Sequence, residues 1–358
     1  MARIIGWPHM GQGIIAGALM GRLSFPNMES CCSCSALDEL FIQETLMIRF
    51  ALVGVGQHAK WAVIPALAEA ESCSLVAACD LYQENLDSIE DGSVARFTDY
   101  SEMLKSGGFD VVYVSTLEDH HEAMVVLAFE AGFHVLCEKP LGMNAAECEN
   151  MIAASNKAGK ELAVGFEKRY HPDVVLMKQW ISEGRLGKVE AMHFQHMWDM
   201  HKTIGKLARR REDHLDRTGS LDCGIHNIDI FRHITGAKGY GEVMARGRWF
   251  GELDRKQMPH ISLMGSLDNG ILFTLTESYT YCTNISPKKR SDIQTIVGTE
   301  GVINWASDGE GELQLSLTTE SGTESFPHRA MHHNEAIKLM TNDFSCYLMG
   351  ECDWPETV

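Results

Sequence analysis

From residue 48 the chain alternates short apolar runs with amphipathic stretches. The apolar runs, rich in β-formers, lie at 48–53, 74–79, 110–115, 134–137 and 161–164. Stretches of helical period lie between them, at about 59–70, 100–106, 120–131 and 145–158. Alternation of this kind is typical of a parallel sheet with helices on both faces. The first half therefore predicts an α/β domain with a doubly wound parallel sheet and right-handed crossovers.

After about residue 186 the pattern changes. A helix-like segment at about 221–235 precedes strand-like runs at about 241–250, 258–266, 270–280, 291–297, 301–305 and 312–317, and a helix at 332–349 follows. Asp268-Asn269-Gly270 separates two of these runs and is a hairpin signal. Successive strands without intervening helices predict an α+β domain with an open, mostly antiparallel sheet.

Residues 1–46 fit neither pattern. They are rich in Gly, Met and Ser, and Met47 stands directly before the first convincing strand. We therefore expect an atypical, disordered leader at 1–46, a dinucleotide-type domain at 47–167 and a second domain at 168–358. The leader contains Gly11-Gln12-Gly13, which imitates a phosphate-binding turn, but only a weak strand precedes it.

Charge and length narrow the classes of function. The chain has 358 residues, which suits two domains, and a formal charge of −18 with a pI near 5.3. Such acidity disfavours binding to nucleic acid or to anionic membranes. The short basic run Arg209-Arg210-Arg211 is followed at once by Glu212 and Asp213. It is a solvated loop or, alternatively, a loop that reaches an acidic substrate.

Cysteine usage and the N-terminus indicate the compartment. The eleven cysteines show no paired CxxC spacing of a zinc site, and their number is odd. In a chain of this size the pattern favours free thiols in a reducing cytoplasm. We find no run of apolar residues long enough to span a membrane and no clear signal-peptide cleavage site.

A glycine-rich turn follows the first strand directly. Gly54-Val55-Gly56-Gln57-His58-Ala59 has the pattern GxGxxA and opens the first helix. The first glycine permits a tight turn, the second lets the backbone approach a pyrophosphate, and Ala59 allows close packing of helix and strand. The helix N-terminus offers free N–H groups and partial positive charge to phosphates. The alternative is a purely structural turn.

An acidic residue follows at the distance that a dinucleotide site requires. Asp80 ends the second strand, where it can bind the ribose hydroxyls. Its carboxylate would repel a 2′-phosphate, and no arginine immediately follows to offset this. The sequence thus predicts NAD as the cofactor and disfavours NADP.

Lys139 is the first candidate for proton chemistry. Glu138-Lys139-Pro140 follows the fourth long strand, and ligands of open parallel sheets sit at the carboxyl ends of the strands. Pro140 keeps Lys139 out of helical geometry. A lysine in a cleft can have its pKa lowered by burial and act as a proton donor or acceptor. Alternatively, Lys139 is an ordinary surface residue.

The second candidate is an Asp/His pair. If the segment from Gly219 onward is helical, Asp222, His226 and Asp229 fall on one helical face. A carboxylate one turn from an imidazole can orient it and support its protonated form. A capping or surface arrangement is the alternative, and a metal site is disfavoured because no third ligand is apparent.

Together these motifs resemble the glucose–fructose oxidoreductase / inositol dehydrogenase / MocA family. The resemblance runs from about residue 47 to the C-terminus. The segments that carry it are the GxGxxA turn, Thr116 to His121, Glu138-Lys139-Pro140, Arg169-Tyr170-His171-Pro172, Gly219-x-Leu221-Asp222-x-Gly224-x-His226-x-x-Asp229 and Val297-Gly298-Thr299-Glu300-Gly301.

The resemblance implies a Rossmann domain, a substrate domain, bound NAD or NADP, and sugar, polyol or related substrates. It implies that Lys139 is the general acid/base, that His226 is a second proton-transfer group and that Asp222 positions both. Glu138 would hold the Lys139 turn. The expected cofactor-binding residues are Gly54, Gly56, Gln57, His58, Ala59, Asp80, Thr116, His121, Glu138 and Lys139. The expected substrate-binding residues are Lys139, Arg169, Trp198, Asp222 and His226.

Residues 193–218 form the predicted substrate loop. In the resembled family the region ahead of the Asp/His helix approaches the substrate, and Trp198 could stack on a sugar ring while neighbouring histidines bind hydroxyls. The alternative is an exposed polar loop with a core tryptophan.

The tail is the second departure from the resembled family, after the leader. That family usually continues through a final helix that packs on the first domain, whereas the stretch 332–349 resembles the helix before it. The C-terminus therefore looks truncated, and we expect apolar surface of the cofactor domain to be left uncovered.

Three classes of function remain open. The first is a dehydrogenase or reductase of sugars, inositols or glycosides. The second is a glycosidase that oxidises and re-reduces the sugar with tightly held NAD. The third is a cofactor-binding protein without catalysis, against which the presence of Lys139, Asp222 and His226 argues. We expect a homodimer or homotetramer, because an open sheet face or edge is a liability in a monomer.

Overall fold

The computed structural model describes residues 47–198, 223–249, 258–279, 290–307, 312–329 and 331–353. Its first sheet contains β1 (Ile48–Val53), β2 (Cys73–Cys79), β3 (Ala95–Phe97), β4 (Val111–Val114), β5 (His134–Cys137) and β6 (Leu162–Val164). A π-helical turn (Ala59–Val63) leads into α1 (Ile64–Glu69), and α2 (Gln83–Leu86), α3 (Tyr100–Ser106), α4 (His121–Glu130) and α5 (Ala145–Ala158) follow.

The first sheet is parallel, in the order β3-β2-β1-β4-β5-β6. This is the doubly wound order of a dinucleotide-binding fold, with β1 and β4 adjacent at its centre. The carboxyl ends of β1, β2, β4, β5 and β6 consequently lie along one edge. The motifs predicted to bind the cofactor directly follow these strands and so lie at that edge. The predicted α/β fold class is confirmed.

Local sequence explains where the helices of this domain begin and end. The Asn144 side chain accepts a hydrogen bond from the Glu147 backbone N–H at 3.1 Å, while the Glu147 carboxylate accepts one from the Met143 N–H at 2.7 Å. This reciprocal capping satisfies N–H groups that a helix start leaves unpaired. At the other end of α5, Gly159 has φ +62°, the left-handed conformation that commonly terminates helices.

The second sheet has eight strands in the order β14-β13-β12-β11-β7-β10-β9-β8. They are β7 (Val189–Trp198), β8 (Tyr240–Arg248), β9 (His260–Leu267), β10 (Leu272–Ser278), β11 (Arg290–Gly298), β12 (Gly301–Ser307), β13 (Glu312–Thr319) and β14 (Gly322–Arg329). All neighbouring pairs are antiparallel except β7 and β10. The mostly antiparallel prediction is confirmed, as is the hairpin between β9 and β10, where Gly270 has φ +87°.

Strand β7 corrects the predicted substrate loop. Residues 193–198 are the second half of a strand at the centre of the sheet, so the loop prediction was wrong for them. Met192 and Phe194 are buried in the core, and His193 between them is exposed on the other side. His196 continues the inward-facing series, and this polar residue obscured the period of two in the sequence. The remainder of the predicted loop lies outside the described residues.

Two helices cover the inner face of the second sheet. They are α6 (Pro172–Ser182), which the sequence analysis missed, and α7 (Gly224–Thr235), which falls within the predicted segment. Phe231 of α7 packs against Phe194 and Phe273 of the sheet, with ring centroids 4.6 and 5.3 Å apart. This packing fixes the position of α7, and therefore of His226, relative to the strands.

The helix α8 (His333–Leu348) packs on the first domain. Its residues Ile337, Met340 and Phe344 are buried in one cluster with Phe50 and Leu67 of the parallel-sheet domain. We predicted this segment to be the helix before the one that docks, and in the structure the apolar face of α8 itself makes a contact with the first domain. Apolar surface of that domain around Phe50 and Leu67 is covered by α8.

Candidate active site

The glycine turn has the shape that a dinucleotide pyrophosphate requires. Gly54 has φ +90°, and a Cβ at this position would lie 2.6 Å from the Ser115 carbonyl oxygen. Apart from its chain neighbours, no atom of the described residues lies within 4 Å of where a Cβ of Gly56 would be, so the space above its backbone is open to them. The first N–H groups of the helix that begins here have no intrahelical partner. The turn thus fits a bound pyrophosphate, and these residues would hold it.

Asp80 supports this turn from the end of β2. Its Oδ2 accepts a hydrogen bond from the Val55 N–H at 2.8 Å, and its Oδ1 accepts bonds from the Tyr82 N–H and the Asn85 side-chain amide, both at 2.9 Å. A carboxylate offers about four acceptor positions, so these three donors leave room for a ribose hydroxyl. Asp80 therefore connects the glycine turn to the predicted ribose position.

The loops after β4 and β5 are tied together by His121. Its Nδ1 lies 2.9 Å from the Pro140 carbonyl oxygen, and its Nε2 lies 3.3 Å from that of Thr116. The imidazole is only 1% exposed. His121 thus braces two predicted cofactor loops, a contact that the sequence analysis did not foresee.

Glu138 is buried beneath the Lys139 turn. Its Oε1 accepts a hydrogen bond from the Tyr113 hydroxyl at 2.8 Å, and its Oε2 lies 3.3 Å from the Lys139 backbone N–H that donates to it. Burial, followed by the charge of Glu138, raises the pKa of Tyr113 well above its usual value, so the phenol stays protonated and donates. His58 of the cofactor turn lies nearby, with Nδ1 3.9 Å from Glu138 Oε1. These contacts hold the turn that carries Lys139.

Arg169 joins the end of β6 to α7. Its guanidinium donates two hydrogen bonds to Asp229, one of them from Nε at 2.6 Å, and Asp229 is buried. Two parallel N–H donors fix both groups in one geometry. Because Asp229 follows His226 on the same helix, this pair positions the helix that carries the imidazole.

His226 is brought to the same edge by α7. The residue is 4% exposed, and its Nε2 lies 3.6 Å from Oε1 of Glu167, which begins a 3₁₀ turn (Glu167–Tyr170) just after β6. Burial lowers the pKa of His226 well below its usual value, so the imidazole is neutral near pH 7. Lys139 is close enough for its charge to act on both Glu167 and His226.

We call Lys139, Glu167, His226 and His333 the His226 cluster. His333 enters it from α8, with Nδ1 3.3 Å from the same Oε1 of Glu167. Burial alone would raise the pKa of Glu167, but the contact with His333 and the ammonium of Lys139 favour the charged carboxylate, and that pKa lies well below its usual value. The cluster therefore contains a buried carboxylate, a neutral imidazole and a lysine.

Sequence reasoning missed Glu167 and His333. For Glu167 a signal existed, since it follows the last parallel strand and precedes Arg169 by two residues. For His333 there was none, because only the docking of α8 brings it there. Asp222, predicted to position Lys139 and His226, lies outside the described residues.

Trp198 is the last residue of β7, and the parallel strand β10 ends at the same edge of the sheet. It is partly buried, with the Arg290 guanidinium 5.5 Å from its ring centroid and the His196 ring at 6.5 Å. Within the described ranges we find no group of three or more His, Cys, Asp or Glu side chains that could hold a metal ion, and no helix long and apolar enough to cross a membrane.

Comparison with known proteins agrees with this fold. The fold and its polar edge define a dinucleotide-binding protein with a second, sheet-based domain. The chain belongs to the Gfo/Idh/MocA family: residues 48–166 match the oxidoreductase family with an NAD-binding Rossmann fold, and residues 174–304 match the GFO/IDH/MocA C-terminal domain. The predicted family is confirmed, and NAD is confirmed as the cofactor of this fold.

Two curated relatives illustrate the range of the family. A 1-carboxy-3-chloro-3,4-dihydroxycyclohexa-1,5-diene dehydrogenase from Comamonas testosteroni is 27% identical over 235 residues, which are 64% of this chain and 58% of that protein. An inositol 2-dehydrogenase/D-chiro-inositol 3-dehydrogenase from Lactiplantibacillus plantarum is 30% identical over 162 residues, 44% of this chain and 43% of that protein. The chain spans about half the length of such relatives.

Solved structures share the fold at low identity. The WlbA dehydrogenase from Bordetella pertussis, crystallised with NADH and UDP-GlcNAcA, superposes with a TM-score of 0.71 at 22% identity. The match covers 87% of this chain and 90% of that one. Both domains are therefore included in the structural likeness.

Proposed function

We propose that this protein is an NAD-dependent dehydrogenase that transfers a hydride between nicotinamide and a hydroxyl- or carbonyl-bearing carbon of a sugar, inositol or related polyol. The observation that carries the proposal is the His226 cluster at the carboxyl edge of the NAD-binding sheet. The names of the relatives support it, since they act on vicinal diols and inositols.

Each predicted residue then has a task. The N–H groups of the glycine turn bind the pyrophosphate, Asp80 binds the ribose, and bound nicotinamide supplies the hydride acceptor. Lys139, as ammonium, stabilises the oxygen that becomes negative when the hydroxyl loses its proton. His226, neutral in the resting protein, takes that proton and returns it in the reverse reaction. Trp198 offers an aromatic surface to the apolar face of the ring.

The His226 imidazole has an atom suited to this task. Its Nδ1 is buried and has no hydrogen-bond partner in the part of the chain that the structure describes. Buried polar atoms are rarely left unpaired unless a ligand or a catalytic role explains them. A substrate hydroxyl would satisfy this nitrogen.

Formation of NADH tests the proposed function. Purified protein would be incubated with NAD and a panel of sugars, inositols, sugar acids, cyclic diols and aryl glycosides while NADH absorbance is followed. We expect accumulation of NADH with one class of polyol. Release of aglycone without net NADH would contradict the proposal and favour transient oxidation in a glycosidase.

We also propose that the protein forms a homodimer or homotetramer through the outer face of the eight-stranded sheet. Cross-strand register places Met244, Met264, Leu272 and Ile293 on the face opposite the helices, with side chains between 44% and 60% exposed. Met244 and Met264 are cross-strand neighbours, and exposed apolar side chains grouped in this way are typical of association surfaces. Light scattering coupled to gel filtration should give an oligomer, and a monomer would contradict the assignment.

A further inference from the structure

Glu167 is a buried carboxylate that two imidazoles share. It is 5% exposed, on the turn after β6, and its Oε1 faces two imidazoles, His226 at 3.6 Å and His333 at 3.3 Å. A buried carboxylate is costly unless charged or hydrogen-bonding partners compensate for its burial. Here the partners, His226 of α7 and His333 of α8, belong to two elements that are distant in sequence from the turn after β6 that carries Glu167.

We propose that Glu167 is a positioning residue that holds His226 in the tautomer with hydrogen on Nε2, and so leaves Nδ1 as the acceptor for the substrate proton. This inference rests on the proposed function for its catalytic consequence. The distance of 3.6 Å between His226 Nε2 and Glu167 Oε1 is longer than that of a full hydrogen bond, but catalytic hydrogen bonds often shorten only when substrate binds.

The tautomer follows from the two ends of the imidazole. An ionised carboxylate only accepts hydrogen bonds, so the negative charge of Glu167 favours a hydrogen on the nitrogen that faces it. That nitrogen is Nε2. In a neutral ring the other nitrogen, Nδ1, then carries the lone pair, and it is the buried atom without a partner among the described residues.

The proton and electron balance is complete with nicotinamide as oxidant. The substrate O–H bond breaks and an N–H bond forms at Nδ1 of His226. The O–H electron pair becomes the second C–O bond, while the C–H bond breaks and its hydrogen leaves with both electrons to the nicotinamide ring. The imidazolium that results already presents Nε2–H to the carboxylate of Glu167, so the buried pair is neutral overall.

Other charged groups also face this pair. Lys139 and Lys168 act on His226 by their positive charges, His333 Nδ1 lies 3.3 Å from Glu167 Oε1, and the charges of His171 and Glu167 act on each other. The lysines disfavour the imidazolium and Glu167 favours it. Removing the carboxylate therefore lowers the pKa of His226, which moves the acid limb of an oxidation rate profile to lower pH.

The tautomer can be measured without any substrate. Two-dimensional NMR of nitrogen-15-labelled histidine rings in the full chain, with and without NAD, distinguishes protonated from unprotonated ring nitrogens, and a His226→Asn variant assigns the signal. We expect Nε2–H and an unprotonated Nδ1 in the native chain and a mixture or reversal in Glu167→Gln. A native ring with hydrogen on Nδ1, or an unchanged Glu167→Gln spectrum, would overturn the proposal.

Kinetics separate positioning from simple stabilisation. Glu167→Gln should lower kcat about 10- to 100-fold with KM for NAD unchanged, since losing a group that orients another residue costs factors of this size. The acid limb should shift to lower pH, and Glu167→Asp should recover part of kcat. Glu102→Gln, an exposed carboxylate on α3, is the matched control. If Glu167→Gln and Glu167→Asp lowered kcat equally and the acid limb of the pH–rate profile did not move, a positioning role for Glu167 would be contradicted.

The two ideas can fail separately. If no polyol reduces NAD, the proposed function fails, while the NMR spectrum still decides whether Glu167 sets the tautomer. If NADH forms but the spectrum shows hydrogen on Nδ1, the proposed function stands and the role of Glu167 does not.

Discussion

The second domain contains two buried histidines beside buried glutamates, and they are held very differently. His196 Nδ1 lies 2.7 Å from Glu277 Oε2, and the other oxygen of that carboxylate accepts a 2.7 Å bond from the Asn227 amide. Its Nε2 faces Asp292 at 3.7 Å, and Arg290 pairs with Asp292 in turn. We call these five residues the His196 cluster.

His226 has a looser arrangement. Its nearest carboxylate oxygen is 3.6 Å away, and its second nitrogen has no partner among the described residues. Both imidazoles are about equally buried, at 5% and 4% exposure, so burial does not distinguish them. The difference teaches that an imidazole held by a full hydrogen bond stabilises a fold, whereas a buried imidazole with an unpaired nitrogen among the described residues is a candidate for binding a ligand.

The largest expected effect belongs to Lys139 of the His226 cluster. Lys139→Ala should lower kcat about 1000-fold, the size typical of losing a group that stabilises charge or transfers a proton. Binding of NAD, measured by calorimetry, should change little. Lys157→Ala, an exposed lysine on α5, is the control. Lost NAD binding in a folded Lys139 variant would make Lys139 a cofactor ligand instead.

In the His196 cluster we expect a stability effect. Glu277→Gln replaces a carboxylate that accepts from Asn227 and contacts His196, so it should reduce the free energy of unfolding by about 2 kcal/mol. Urea unfolding of the variant and of Glu102→Gln would measure this. If Glu277→Gln left stability intact and instead shifted the pH profile of turnover, the contrast between the two clusters would be wrong.

The pH dependence of oxidation sharpens the contrast. Burial lowers the pKa of His226, so the imidazole remains a neutral base below the usual histidine pKa of about 6.5. The rate should therefore stay high as pH falls through that value and decline only further into acid. If the acid limb of the pH–rate profile fell at or above the usual histidine pKa, a lowered pKa for His226 would be excluded.

The smallest expected change concerns the cofactor turn. Asp80→Ala removes the acceptor for three N–H donors and the predicted ribose ligand, so it should relax the preference for NAD over NADP roughly tenfold, as loss of one charged hydrogen bond would. KM values for both cofactors would show it. Retention of full NAD selectivity would remove Asp80 from the ribose role.

Much of the nucleotide half could be predicted from sequence because its signals are local. The GxGxxA turn, Asp80 and Lys139 each follow a strand, and parallel strands end at one edge. Glu167 also follows a strand, so a local signal for it existed, but its pairing with His226 could not be found this way. Glu167 and His226 are far apart in the chain, and only the packing of α7 on the sheet unites them.

The second sheet was harder to interpret. His196 stands on the inward face of β7 between core positions, and its polarity made a central strand resemble a loop. The compensating groups, Glu277 and Asn227, lie on other elements. A buried polar residue is recognised as core only when its partners are known, and those partners are tertiary contacts.

Formation of NADH in the native chain and in Lys139→Ala, each loaded with NAD and the best polyol of the panel, tests the central claim most directly. The account predicts rapid reduction of NAD by the native chain and a loss of about 1000-fold in the variant, with equal NAD binding in both. Comparable rates in the two proteins would place the chemistry away from the His226 cluster and contradict the account.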